Sequence, residues 1–242
     1  MFDNGKKSIN IGDEISHVRM QWLTGIGRCI LPPGYWGHDN PAQQISTIGG
    51  AADDQKNLYL TFDDGPNPDT TQALLELLEA EGVLATFFLI GSEVARFSDL
   101  AAAVAARGHT IGNHSLNHNF MPSMPTRMIE REIRHTNALL EKATGRQPRL
   151  FRPPYGMIDK RGAACLKELD MRIVYWGAVP EDWQGVGAER VVERVCRKLG
   201  DGALIVLHEG SHIASQTIEA TREIVLRAKA QGYTFKALPE SI

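Results

Sequence analysis

From residue 57 the chain alternates between two hydrophobic spacings. Short runs such as "NLYLTF" (57–62) and "LATFFLI" (84–90) are apolar and aromatic, with the length and composition of strands. Between them, apolar residues recur every three or four positions, the period of an amphipathic helix. "TTQALLELLEAEG" places Ala73, Leu74, Leu77 and Leu78 on one face and stops at Gly82. The same spacing predicts helices over 98–107, 126–143, 158–169, 188–199 and 215–231. In 126–143 the buried stripe is Ile129, Ile133, Thr136 and Leu140; in 188–199 it is Val191, Val192, Val195 and Leu199. The remaining strands are expected at 109–112, 149–151, 172–176, 203–207 and 234–238. Seven strands thus alternate with six helices, and several strands are apolar throughout. Strands buried on both faces and joined by crossover helices form a parallel sheet. Seven of them favour a closed or nearly closed (β/α)7 barrel of the TIM type over an open doubly wound sheet.

Residues 1–55 show no sustained period and end in the small-polar stretch "STIGGAADDQ". They read as an N-terminal extension, with the regular domain spanning 56–242. The most apolar part of the extension, "MQWLTGIGRCILPPGYW" (20–36), is broken by Arg28, three glycines and Pro32-Pro33. It reads as an arm packed on the body, and nothing in the chain reaches the ~18 apolar residues of a membrane span. The N-terminus has no apolar signal region, so the chain as written is expected in the cytoplasm.

Composition adds limits. With 43% hydrophobic residues the chain can bury a sizeable core. A net charge of −3 offers neither a nucleic-acid footprint nor a polybasic membrane signal. No glycine-rich phosphate loop opens any helix, which removes the usual nucleotide signatures. Cys29, Cys165 and Cys196 form no C-x-x-C and read as idle thiols.

The polar residues that do not fit a core all follow strands. Asp63 and Asp64 stand side by side after the first, and His114 and His118 follow the third in "GNHSLNH". "FRPPYG" (151–156) follows the fourth, "EDW" (181–183) the fifth, and His208 caps the sixth. In an α/β barrel those ends share one rim, where active sites form. Two adjacent acids could be only a solvated turn, but the shared rim argues for a site. His114 and His118 are four apart, so one helical turn would aim both imidazoles at one point. Two imidazoles and one carboxylate make a half-filled divalent site, suited to zinc or a similar ion. One acid of the pair can then be a ligand while the other acts as a base toward water on the metal. His208 is placed to protonate a leaving group, with Asp182 to orient it, and Arg152 could hold the free acid ionised. A backbone N–H near Tyr155 could serve a developing oxyanion, and Tyr155 and Trp183 could be platforms for a sugar ring. His212 makes a rival pair with His208, but Gly210 disfavours a helix there; His109 and His135 read as structural.

With those residues in view, the chain resembles the NodB-homology polysaccharide deacetylases, carbohydrate esterase family four, over about residues 57–238. The likeness rests on five motifs in order: "TFDDGP", "HSLNH", "RPPYG", "EDW" and "IVLH". The resemblance implies Asp63 as base, Asp64, His114 and His118 as metal ligands, and Arg152 beside the base. It further implies Pro154 and Tyr155 on the oxyanion side, Asp182 tuning His208 as acid, Trp183 lining the cleft, and Val206 and Leu207 near the acetyl methyl. The family's distorted (β/α)7 barrel agrees with the strand count. Two departures stand out: Val179 occupies a position where the family often has Asp, and Glu209 replaces an Asp, a change expected to have little effect. The implied activity is metal-dependent removal of N-acetyl groups from N-acetylglucosamine oligo- or polysaccharides, with Zn2+ (or Co2+) as the ion. The alternatives are a deformylase of lipid-linked amino sugars and an inactive sugar-binding domain.

Overall fold

The computed structural model describes residues 44–45 and 56–240; the arm at 20–36 and Cys29 lie outside the described residues. In chain order the elements are β1 (Gln44–Ile45), β2 (Lys56–Gly65), α1 (Thr71–Ala80), β3 (Thr86–Leu89), α2 (Gly91–Arg96) and α3 (Ser98–Ala106). There follow β4 (Thr110–Asn113), α4 (Thr126–Thr144), β5 (Leu150–Phe151), α5 (Lys160–Glu168) and β6 (Arg172–Val174). The chain ends with α6 (Ala188–Cys196), β7 (Ala203–His208), α7 (Ala214–Ala230) and β8 (Tyr233–Phe235). Every strand pairing is parallel, in the order β1-β6-β5-β4-β3-β2-β7, with β8 joined to the start of β2.

The fold is therefore the expected α/β barrel, and its distortion has a definite place. The ring closes between β6 and β7 through one residue beyond β6: Ala178 N–H donates to the Leu204 carbonyl (2.6 Å), and Val206 N–H donates to the Ala178 carbonyl (3.0 Å). Gly177 permits that approach, because a Cβ there would lie 2.5 Å from the Leu204 oxygen. Two elements were not anticipated. The helix α2 precedes α3, where one helix was expected, and β1 lies inside the stretch read as an extension and pairs with Ile173–Val174.

Period-two alternation along β2 sorts its side chains. Leu58, Leu60 and Phe62 face outward and pack with Leu74, Leu75 and Leu78 of α1, Val192 of α6 and Ile224 of α7. A second outer cluster joins Phe151 and Ile173 to Ile129 and Ile133 of α4 and Leu166 of α5. Inside the barrel, Tyr59, Phe88, Leu150, Val174, Leu204 and Leu238 fill the lower layer. Each such large apolar side chain contributes about 1.5–3 kcal/mol when buried. Above that layer the interior turns polar, with Thr61, Asp63, Arg152 and His208 all buried. The apolar floor thus carries an ionisable ceiling at the C-terminal ends of the strands.

Among the described residues no helix is long and apolar enough to cross a membrane. Cys165 and Cys196 are free, and burial pushes both thiols up, so neither is activated.

Candidate metal and catalytic site

At the end of β2 the backbone of Asp64 turns to a φ of 73°, which separates the two acids. Asp63 continues the inward face and is fully buried; its Oδ1 accepts from Arg152 Nη1 at 2.6 Å. The same Nη1 donates to Thr61 Oγ1 (2.7 Å), and the guanidinium lies over the Phe88 ring at 4.1 Å. Phe88 fits there because Gly112 opposes it: a Cβ at residue 112 would come within 2.4 Å of the ring. Arg152 is therefore held rigidly from two sides and keeps Asp63 paired with a permanent cation.

Asp64 faces the two histidines. Its Oδ1 lies 3.4 Å from His114 Nε2 and 3.4 Å from His118 Nε2. Two ligands about 2.1 Å from a shared tetrahedral centre stand about 3.4 Å apart, so these separations fit a common cation better than direct hydrogen bonds. Asp64 Oδ1 is buried with no hydrogen-bond partner, as is Asp63 Oδ2. His114 Nδ1–H donates to the Arg152 carbonyl at 2.7 Å, which leaves Nε2 as a lone pair toward Asp64. Burial would raise the Asp64 carboxyl, but the neighbouring imidazoles of His114, His208 and His118 outweigh it and hold it at about 2. Burial and the neighbouring His114 lower His118, favouring the neutral imidazole that a metal requires.

The convergence of the histidines does not come from a helical turn, as their spacing suggested. Residues 114–118 form a loop in which Ser115 (φ 65°) and His118 (φ 54°) adopt left-handed backbone. The small polar residues of "NHSLNHN" hold it: Ser115 N–H donates to Asn113 Oδ1 (2.7 Å) and His118 N–H to Ser115 Oγ (3.1 Å).

Across the mouth, Asp63 and His208 are register partners on β2 and β7. Asp182 is buried and binds His208 twice: Oδ2 accepts its backbone N–H at 2.7 Å, and Oδ1 meets the ring Nδ1 at 2.9 Å. Burial alone would lower His208; Asp182 overrides it, aided by Asp63 and Asp64, and pushes the imidazole up to about 9. At neutral pH His208 is thus a charged proton donor. The Trp183 ring stands edge-on to it at 4.9 Å, and Trp176 lies 6.3 Å beyond. On the opposite wall the exposed Tyr155 packs against His118 at 4.7 Å, with Pro154 buried beneath the turn. Of the six non-glycine residues with left-handed backbone in the described region, five line this rim: Asp64, Ser115, His118, Tyr155 and Glu181. Strain of that kind persists where surroundings over-determine the backbone, as at working sites.

Leu207 is not among the residues brought together. It pairs with Phe62 and packs in the outer cluster, on the opposite face from His208; Val206 shares the inward face. His212 and His135 are exposed, away from any ligand group among the described residues, and His109 is held as an acceptor by Ala85 N–H at 3.1 Å. Two further carboxylates are built into the site's surroundings: Glu209, noted in the sequence only as a replacement for Asp, and Glu132, which went unread. Glu209 is fully buried, and its Oε2 accepts from Thr70 (2.8 Å) and from Thr71 at the start of α1. Glu132 lies within the buried stripe of α4, and an acid at that position was the signal that something polar must meet it.

The mouth of the parallel barrel thus gathers an ionisable set that includes an Asp-His-His group able to hold a metal ion. The chain belongs to the polysaccharide deacetylase family, whose profile matches residues 50–174. It is similar to a peptidoglycan-N-acetylglucosamine deacetylase of Bacillus cereus, 36% identical over 188 residues, covering 77% of this chain and 88% of that one. It is similar to a chitooligosaccharide deacetylase of Rhizobium leguminosarum bv. trifolii, 32% identical over 201 residues, covering 78% and 94%. A crystal structure of a peptidoglycan N-acetylglucosamine deacetylase bound to a naphthalenyl N-oxidanyl-benzamide superimposes with a TM-score of 0.75 at 30% identity, covering 81% and 90%.

Proposed function

We propose that this chain hydrolyses the acetamide of N-acetylglucosamine units in oligo- or polysaccharides of the chitin or peptidoglycan type. The observation that carries the reading is the division of labour around one mouth: Asp64, His114 and His118 on one side, Asp63 with Arg152 in the middle, His208 with Asp182 on the other. Asp64, His114 and His118 would hold a divalent cation, Zn2+ or Co2+ by the N/O donor set, which would supply Lewis acidity toward the acetyl carbonyl and the attacking water.

The protein's own groups do the rest. Asp63, held by Arg152, takes the proton from the attacking water. A backbone N–H near Tyr155 donates to the oxygen that gains charge. His208, charged because Asp182 stabilises it, protonates the departing nitrogen so that it leaves as an amine, with acetate as the second product. Tyr155 and Trp183 bracket the mouth as stacking faces for sugar rings, and N-acetylglucosamine is named for one relative and consistent with the chitooligosaccharide named for the other.

The test is acetate release from short N-acetylglucosamine oligomers by metal-stripped protein, with and without added Zn2+ or Co2+, alongside Asp64→Ala. Metal-dependent release that vanishes in the variant supports the reading. No release from any oligomer by protein that binds Co2+ refutes it, and formylated or lipid-linked amino sugars then become the substrates to assay.

A further inference from the structure

The loop bearing the two histidine ligands folds around a single buried carboxylate. Glu132 projects from α4 and is 3% exposed. Its Oε2 accepts the backbone N–H groups of Leu116 (2.9 Å) and Asn117 (3.0 Å). Its Oε1 accepts from the side-chain amides of Asn117 (3.1 Å) and Asn119 (3.4 Å). Four donors thus converge from the five-residue span between and just beyond His114 and His118. The loop is also tied within itself, by Ser115 N–H to Asn113 Oδ1 and His118 N–H to Ser115 Oγ, and at its outer edge by Gly91 and Ser92 N–H to the Ser115 and Leu116 carbonyls. The left-handed backbone at Ser115 and His118 is unfavourable for residues of their kind, so a local anchor must hold it. A buried carboxylate receiving two backbone amides is such an anchor, because charge-assisted hydrogen bonds are the strong ones.

We infer that Glu132 is a positioning residue for the metal centre: it presents His118 to Asp64 and His114, and so sets metal affinity without touching the metal. The inference rests on the metal reading above. A glutamine replaces it only in part, since its hydrogen bonds to the two backbone amides lack the charge and its NH2 group obliges the Asn117 and Asn119 amides to turn over and accept.

The experiment is Co2+ titration of the metal-stripped full chain, followed by the visible cobalt band, for wild type, Glu132→Gln and Asn117→Ala. Thermal unfolding of each metal-free protein is recorded in parallel. Glu132→Gln is expected to weaken Co2+ binding about 10–100-fold, the usual effect of losing a group that orients a ligand. Its cobalt band should shift, and excess Co2+ should return much of its turnover; a merely structural lesion would lower the unfolding temperature and leave the affinity of the folded protein alone. Asn117 is exposed, so Asn117→Ala folds, and it should weaken binding in the same direction by a smaller factor. Wild type that binds no Co2+ sinks the metal reading, and this inference with it. Wild type that binds while Glu132→Gln stays within about twofold overturns the inference alone. Should Glu132→Gln fail to fold, an unchanged affinity in Asn117→Ala overturns it and a weakened one supports it.

Discussion

The pairing of Asp182 with His208 makes a quantitative demand on the pH profile. Asp182→Asn removes the charge that lifts the imidazole and sets an amide N–H against a ring or backbone donor it formerly accepted. With His208 at about 9, about 90% of it is protonated at pH 8. Were the loss of Asp182 to return the group to its ordinary 6.5, about 3% would be protonated at that pH. The variant should therefore lose about 30-fold in kcat/KM at pH 8 from proton occupancy, on the order of 2 kcal/mol. At pH 6 the same factor shrinks to about 1.3, leaving only the cost of lost orientation. The sign follows from the role: a raised acid is active below its pKa and loses activity as pH climbs through it. A bound cation moves both alkaline limbs down together, so the separation between the limbs is the deciding quantity. The assay is kcat/KM against pH from 5.5 to 9.5 for both proteins. An alkaline limb that stays in place in Asp182→Asn, or a loss equal at all pH values, refutes His208 as the proton donor.

Other consequences follow from the same geometry. Gly112→Ala drives a methyl into Phe88 and should cost about 1–3 kcal/mol of stability by overpacking, with loss of activity through Arg152 above the ring. Adding Phe88→Leu should recover part of the loss in urea unfolding; no recovery would place the strain elsewhere. Asp63→Asn should lower kcat about 10²–10⁴-fold while Co2+ still binds, and unchanged turnover would remove Asp63 from the role of base. Glu209 is raised to about 7 by burial, against partial compensation from Thr71 and Thr70. Its contribution to stability is full below the unfolded value of 4.5 and disappears as pH rises through about 7, a difference on the order of 3 kcal/mol. Wild type should therefore unfold at lower urea at pH 8 than at pH 5, and Glu209→Gln should flatten the difference. An identical drop in both proteins would assign it to other groups.

The barrel was legible because its strands are apolar on both faces and its helices carry clear stripes. Placing Asp63, His114, Arg152, Asp182 and His208 on one rim needed only the rule that parallel barrels work at their C-terminal ends. What sequence could not show was geometry set by loops. The four-residue spacing of His114 and His118 suggested a helical turn, whereas their meeting depends on Asn and Ser side chains bonding to backbone and on Glu132 from a distant helix. Glu132 was hidden by its neighbours in the stripe, since periodicity records which positions are buried and not what a buried acid binds. The strand β1 was invisible because two residues carry no period. Leu207 illustrates the reverse error: adjacent to His208 in sequence, it faces the other way because neighbours in a strand alternate.

The single-residue closure at Ala178 also divides the chemistry. A cylinder opens most readily where its strands share few hydrogen bonds, and the line between β6 and β7, bridged by one residue, is such a place. Asp182 follows directly after it in the chain, and its partner His208 ends the strand on the far side. The link between proton donor and orienting acid therefore spans the joint like a rivet. The contact that keeps the imidazole charged is thus also one that fastens the wall at its thinly bonded seam.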